Sequence, residues 1–234
     1  VYEEKKMEEM EVCFLMDRFG YMKLIDKNAY ERNKEAVHNE NKYVFNCMNT
    51  DKICIFTDTG KMHTIKAVDI PLGRFRDKGT PVDNLSNYDS SQERMLYVAP
   101  VGQLRSDRLL FVTKTSMCKL VEGAEFDVAK RTIASTKLAD EDELIFIGSA
   151  SEMEQIVLQS HGGCFLRFLT QEVSTMKKTA LGVRGMKLAD DDYLEHAYLL
   201  AGHQEYTISY HDKEYALNKV RLAKRDTKGI KPRI

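Results

Sequence analysis

The residues in this sequence able to do chemistry are lysines and arginines, and they come in clusters. Between positions 217 and 233, seven of seventeen residues are Lys or Arg and only Asp226 is acidic. Lys219, Arg221, Lys224, Arg225, Lys228 and Lys231 lie in this stretch together with Gly229. A charge excess of that kind attracts a polyanion, a nucleic-acid backbone above all. Shorter basic stretches lie upstream. Arg32 falls in 28–34; Arg74, Arg76 and Lys78 in 71–81; Lys130 and Arg131 in 129–135; Lys177, Lys178 and Arg184 in 176–185, with Lys187 just beyond. Lys and Arg reach phosphate oxygens, and glycine lets backbone N–H groups approach them closely. Such contacts position a duplex without reading bases. One charged loop is ordinary solvated surface. Recurrence in at least four of five similar segments points to an anion-binding rim.

Other chemistry is poorly provided for. The histidines at 38, 63, 161, 196, 203 and 211 form no local metal-ligand pair, although His161, His203 and His211 are free to meet in a fold. Asp190-Asp191-Asp192 lacks the Gly and distal Glu of a calcium loop, and Gly162-Gly163 is a turn signal, not a phosphate cradle. No Walker loop, nucleophile elbow, dinucleotide fingerprint, recognition helix or zinc-finger spacing occurs. An active site within the chain is not expected, and neither is a resident metal or cofactor. Five cysteines (13, 47, 54, 118 and 164) form no C-x-x-C pair, and Cys54, Cys118 and Cys164 lie in apolar runs. Free, reduced thiols in a cytoplasmic protein follow from that usage.

The elements that would position the basic loops repeat as well. Five segments, at 12–25, 53–65, 109–121, 156–168 and 206–217, each read as an apolar run, a two-residue turn and an alternating run. Turn glycines stand at Gly20, Gly60 and Gly163, with Ser116 and Lys213 in the equivalent place, at spacings of 40, 56, 47 and 50 residues. Glycine supplies the positive φ that a tight hairpin requires. A second repeat, independent of the hairpins, pairs 137–144 with 187–194, identical at six of eight positions. Its acidic turn is expected to carry the chain back into a strand. This period, with strands in every unit, predicts an all-β, propeller-like ring or spiral of about five small four-stranded sheets. The expected divisions are an edge or linker at 1–11 and blades at roughly 12–50, 51–107, 108–153, 154–203 and 204–234. Residues 84–107 are read as an inserted outer loop with an embedded strand at 95–99. Each basic stretch follows its hairpin as a loop. Gly79 and Gly182 both fall nineteen residues after a turn glycine, and Gly229 falls sixteen after Lys213.

Composition sets the frame. The chain has 234 residues, 30% charged and 43% hydrophobic, with a net charge of −1. That is globular composition, and any basic face must be a local concentration of charge. No signal peptide or membrane-spanning run is present. The opening Val1-Tyr2-Glu3-Glu4-Lys5-Lys6, without Met, reads as the cut edge of a linker in a longer protein.

The motif Phe56-Thr57-Asp58-Thr59-Gly60-Lys61-Met62-His63, followed by Arg76-Asp77-Lys78-Gly79-Thr80-Pro81, resembles a blade of the C-terminal domain of the bacterial DNA gyrase or topoisomerase IV A subunit. Leu181-Gly182-Val183-Arg184-Gly185-Met186-Lys187-Leu188 resembles the same family in the fourth unit. The resemblance runs from about 12 to 231. It implies a β-pinwheel with double-stranded DNA bent and wrapped around the outside. It also implies two protein partners within a type II topoisomerase, an isomerase: the ATPase (B) chain and the remainder of the A chain. ATP and Mg would serve the full enzyme and not this stretch. The implied location is cytoplasmic and nucleoid-associated, with no membrane. The family's catalytic tyrosine lies in another part of the A chain, so none of the eleven tyrosines takes that role. Gyrases carry a box, Q-R-R-G-G-K-G. The nearest match is Ala223-Lys224-Arg225-Asp226-Thr227-Lys228-Gly229, in which Ala223, Asp226 and Thr227 depart. Those departures, and a position in the last blade, favour a topoisomerase IV-like role, with a divergent gyrase as the other reading. Apart from the resemblance, a propeller-like module binding an acidic protein is the alternative.

Overall fold

The computed structural model describes residues 6–233. Its strands, in chain order, are β1 (Glu11–Met16), β2 (Tyr21–Ile25), β3 (Tyr43–Met48), β4 (Lys52–Thr57), β5 (Lys61–Lys66), β6 (Thr80–Pro81), β7 (Met95–Pro100), β8 (Arg108–Thr113), β9 (Met117–Glu122), β10 (Thr132–Ala134), β11 (Leu144–Ser149), β12 (Gln155–Ser160), β13 (Phe165–Leu169), β14 (Val183–Arg184), β15 (Leu194–Leu200), β16 (Thr207–Tyr210) and β17 (Lys213–Ala216). All five expected hairpins are present: β1–β2, β4–β5, β8–β9, β12–β13 and β16–β17. The fold is all-β and built of small antiparallel sheets, as the repeats predict and as the β-pinwheel of the resemblance implies.

Each sheet is assembled from two successive repeats. The sheets run β3-β1-β2-β6, β10-β5-β4-β7, β11-β8-β9-β14 and β13-β12-β15, with the last hairpin as a two-stranded ribbon. The third strand comes from the same repeat as the hairpin. The fourth comes from the segment after the next hairpin: β6 on β2, β10 on β5, β14 on β9, and Ile230 bridging to Phe165 on the fourth sheet. The windows 12–50, 51–107, 108–153 and 154–203 therefore each lend an outer edge to the sheet before, or borrow one from the window after.

The apolar runs are continuous because the hairpin strands are buried on both faces. Alternation along a strand sends neighbours into different cores. Ile53 and Ile55 pack with Phe14, Met22 and Leu24 of the first sheet. Cys54 and Phe56 pack with Leu109, Phe111 and Val121 of the third. Leu110 and Val112 meet Ile156 and Leu158, and Val157 meets Leu217 and Val220. The cores thus lie between successive sheets, and β3, β7, β11 and β15 contact one another in series.

Several local expectations change. The first post-hairpin segment is helical, with α1 (Lys27–Arg32) and α2 (Lys34–Glu40) in place of a loop. Asp26 caps α1 by accepting from Ala29 N at 2.7 Å, and the buried Ala29 and Val37 anchor the pair. Four hairpin turns have three or four residues, not two. Gly20, Gly60, Ser116 and Gly163 do take left-handed φ, between 73° and 85°. In the fifth, Lys213 opens β17; His211 and Asp212, at φ 49° and 61°, make the two-residue turn. Both central residues are left-handed there, the signature of a type I′ turn. The strand expected inside the insertion at 84–107 is β7, an integral strand of the second sheet. The acidic turns do lead into strands, β11 and β15, and Leu144 N and Leu194 N donate to Asp58 O and Lys114 O of the preceding hairpin turns.

Candidate nucleic-acid interface

The basic loops are excursions of fixed length. The chain enters alongside the second hairpin strand of the preceding sheet through a parallel bridge, at Leu24–Leu72, Leu120–Thr175 and Arg167–Leu222. It returns eight residues later as an antiparallel partner two residues back on the same strand, at Met22–Thr80, Cys118–Val183 and Phe165–Ile230. The last residue of each excursion is Gly79, Gly182 or Gly229. A Cβ on Gly79 or Gly182 would lie 2.6 Å from Met22 O or Cys118 O, and on Gly229 2.9 Å from Phe165 O. Close backbone approach to the sheet accounts for these glycines, Gly229 included, without any phosphate. The third repeat departs: Thr132 stands where the glycines do, and the basic segment lies down on β5, with Thr64 N donating to Arg131 O at 2.9 Å.

Two of the three excursions are fastened from beneath by cations that sequence reasoning does not single out. Lys23 Nζ donates to Phe75 O and, at 2.8 Å, to Asp77 O. Lys119 Nζ, in the same register position on β9, donates to Lys177 O (3.4 Å), Lys178 O (2.9 Å) and Ala180 O (2.6 Å). Arg167, one register position further along β13, instead donates from Nη1 to Asn218 O and Val220 O at 2.8 and 2.5 Å, in the turn ahead of the last excursion. Lys119 is 1% exposed. Burial pulls its pKa from 10.5 down to about 8, against the opposing pull of Glu125. Burial also lowers Lys23, with Glu40, Asp77 and Asp17 opposing. In the second sheet the equivalent residue is His63, whose Nδ1 lies 2.9 Å from Thr132 Oγ1 and whose Nε2 lies 2.9 Å from Glu93 Oε2. Thr132, His63 and Glu93 are arranged like a hydrolytic triad. His63 and Glu93 are only 2% and 5% exposed, however, and the carboxylate is occupied by Thr57, Thr59 and Asp89 N. The cluster ties the 82–94 segment and β10 to the hairpin.

Most of the cations expected from sequence are exposed: Arg32, Arg74, Arg76, Lys78, Lys130, Arg131, Lys177, Arg184, Lys187, Lys219, Arg221, Lys224, Lys228 and Lys231. Lys178 and Arg225 are half-buried. Among the described residues only Arg184 of this set forms an ion pair, with Asp226. The hydrogen bond from Arg184 holds the Asp226 carboxyl below the usual range and raises the guanidinium. Arg225 faces inward. Its Nε donates to Glu172 O at 3.0 Å and its Nη1 to Arg184 O at 2.7 Å, so it clamps backbone. Asp226 takes the left-handed region at φ 63°, where a glycine would sit without strain.

Neighbouring loops touch in chain order. Arg32, Arg74 and Arg76 line one cleft of about 460 Å³ with Asn33. Arg131 reaches Leu85 O at 3.2 Å, Lys137 N donates to Lys178 O at 3.0 Å, and Lys187 N donates to Thr227 O at 2.9 Å. The arrangement is a succession of fixed cationic loops, able to bind a polyanion at several points. Elsewhere, His161 stacks on Tyr193 and pairs with Glu195, and His211 lies against Tyr210. Among the described residues no helix is long and apolar enough to cross a membrane.

The family model described as "DNA gyrase C-terminal domain, beta-propeller" matches residues 51–90, 107–151 and 154–201. The DNA gyrase A protein of Ureaplasma parvum serovar 3 is 25% identical over 236 residues, covering 94% of this chain and 28% of that protein. The DNA gyrase A protein of Mycoplasma pneumoniae is 26% identical over 249 residues, covering 98% of this chain and 29% of that protein. The chain therefore spans under a third of the length of these relatives. A solved structure of the C-terminal domain of DNA topoisomerase IV superposes with a TM-score of 0.83 at 22% identity, covering 96% of this chain and 73% of that one. A DNA gyrase A C-terminal domain gives a TM-score of 0.61 at 18% identity, covering 94% and 76%.

Proposed function

The chain belongs to the DNA gyrase C-terminal domain family, and on that premise we propose that it is the DNA-binding and DNA-bending accessory domain of a type II topoisomerase. It binds duplex through backbone phosphates, independently of sequence, along Arg32, Arg74, Arg76, Lys78, Lys130, Arg131, Lys177, Lys187, Lys224 and Lys228. The observation that carries this reading is the repeated eight-residue excursion with exposed cations that have no carboxylate partner among the described residues. Two cations per repeat would neutralise on the order of ten phosphates, and the released counterions would drive binding. The bend costs a few kcal/mol or more, which the added contacts must offset. The remainder of the A chain, with the ATPase chain, supplies strand passage, and ATP and Mg are used there, in the bacterial cytoplasm.

Within the family we favour a topoisomerase IV-like role over gyrase-type wrapping. What supports it is Asp226, an anion in the box position where gyrases carry glycine, paired to the Arg184 guanidinium. The relatives by sequence bear the gyrase name, so a supercoiling assay of the parent enzyme is the discriminating test of this finer reading.

The broader function is tested by titrating the protein with random-sequence duplex at increasing salt. Binding at low salt, weakening steeply with log[salt] and indifferent to sequence, is expected. Absence of binding at low salt refutes it and leaves the acidic-protein reading.

A further inference from the structure

Lys23 and Lys119 have no direct access to a ligand outside the protein through the groups that hold the loops. Their donors point at main-chain carbonyls of the excursion belonging to the next repeat. These carbonyls would otherwise turn toward the side where phosphates must come, and a carbonyl oxygen repels a phosphate. Lys119 is satisfied three times over, which uses all three ammonium donors. The second sheet, which has no eight-residue excursion, replaces the cation by His63 on Thr132. Lys52 Nζ there takes one carbonyl, Val128 O, at 2.9 Å. The cation thus accompanies two of the three excursions; on the fourth sheet Leu166 stands in its register place, and Arg167 beside it holds Asn218 O and Val220 O ahead of the excursion.

We propose that Lys23 and Lys119 are positioning residues of the DNA-binding rim: each turns the carbonyls of a basic loop inward and fixes that loop before DNA arrives. The inference rests on the DNA-binding reading and adds its mechanism of preorganisation. Loops already ordered lose less entropy on binding. A loop released from its cation keeps its charge but must be ordered by the DNA. The same side chains also couple neighbouring blades, because the loop belongs to one repeat and the cation to the repeat before.

Lys23 is the place to test it, since it is half-buried at an outer edge. Lys23→Gln is compared with Lys23→Arg and wild type, after circular dichroism has established that each is folded. Two readouts are used. Amide hydrogen exchange without DNA should speed up in 73–79 and remain unchanged in 176–182. Affinity for a random-sequence duplex should fall by roughly tenfold, the ordering cost of two or three side chains, with Lys23→Arg restoring most of it. The slope of log K against log[salt] should stay put, whereas a direct phosphate contact would lower it by about one. Wild-type protein that does not bind duplex refutes the rim itself. Wild-type binding with Lys23→Gln binding equally well, or with faster exchange but unchanged affinity, refutes the positioning role alone. A slope lowered by about one, or failure of Lys23→Arg to restore affinity, also overturns it. Lys119→Met, read at 176–182, repeats the test at a second, buried site.

Discussion

Asp226→Gly is expected to make this protein bind DNA more tightly without destabilising it. Asp226 is an L-residue at φ 63°, and its carboxylate occupies the Arg184 guanidinium. Glycine removes the left-handed strain, which for ordinary residues is about 1 kcal/mol and for Asp less. The substitution also deletes a negative charge that lies close to Arg225 and Lys187. Arg184 becomes free to contact one phosphate. One added contact steepens the slope of log K against log[salt] by about 0.9. Extrapolated from 1 M, where the electrostatic part vanishes, to 0.1 M salt, that is about an eightfold gain in affinity. Fluorescence-anisotropy titrations of a random duplex across salt concentrations read the slope directly. Asp226→Asn separates charge from backbone, because Asn tolerates the left-handed region, and it should give the same slope change. An unchanged slope in both variants would refute the claim that Asp226 withholds Arg184 from DNA.

Neutralising Lys224 and Lys228 together, as Gln, should lower the salt slope by about two and weaken binding more than neutralising Arg74 and Arg76 if the last loop dominates; equal losses mean a uniform rim. Gly182→Ala places a Cβ 2.6 Å from Cys118 O at φ 107°, and should cost more than about 2 kcal/mol in urea denaturation. Gly229→Ala, with 2.9 Å to Phe165 O and no positive φ, should cost less. Glu93→Ala leaves the buried His63 Nε2 without its hydrogen-bond partner and should cost about 1–3 kcal/mol, measured the same way. Lys119 titrates near 8 when folded and near 10.5 when unfolded, so between those values the unfolded chain binds more protons and stability rises with pH. Urea midpoints of wild type relative to Lys119→Met should therefore increase from pH 8 to 9.5, and a flat difference contradicts the shift.

The hairpins are legible in sequence for a physical reason. Strands buried on both faces read as unbroken apolar runs, such as Ile53 to Phe56, and their turns demand left-handed residues. The acidic repeat is legible too, and Glu141 and Asp191 take the same φ of 60° in equivalent places. The exchange of fourth strands is not. Pairings of two residues, like Thr80 and Pro81 on Tyr21 and Met22, leave no periodicity to read. The helices 27–32 and 34–40 are too short for a helical pattern to outweigh Asn28 and Asn33. Exposed cations can be named from sequence, but their division of labour cannot. Arg225 looks like a ligand-facing residue and clamps Glu172 and Arg184 backbone. Lys23 and Lys119 look like ordinary polar positions of an alternating strand and hold the loops. Lys213 does not sit at the turn, because a two-residue turn there needs both His211 and Asp212 left-handed.

The central claim is that the basic loops, joined in chain order, act on one DNA as a continuous rim. Affinity and end-to-end distance for duplexes of increasing length, from about one helical turn upward, test it most directly. The account predicts that affinity climbs with length to a plateau set by the rim, and that fluorophores on the two DNA ends draw together as the plateau is reached. Affinity independent of length, with the ends no closer than in free DNA, would contradict it.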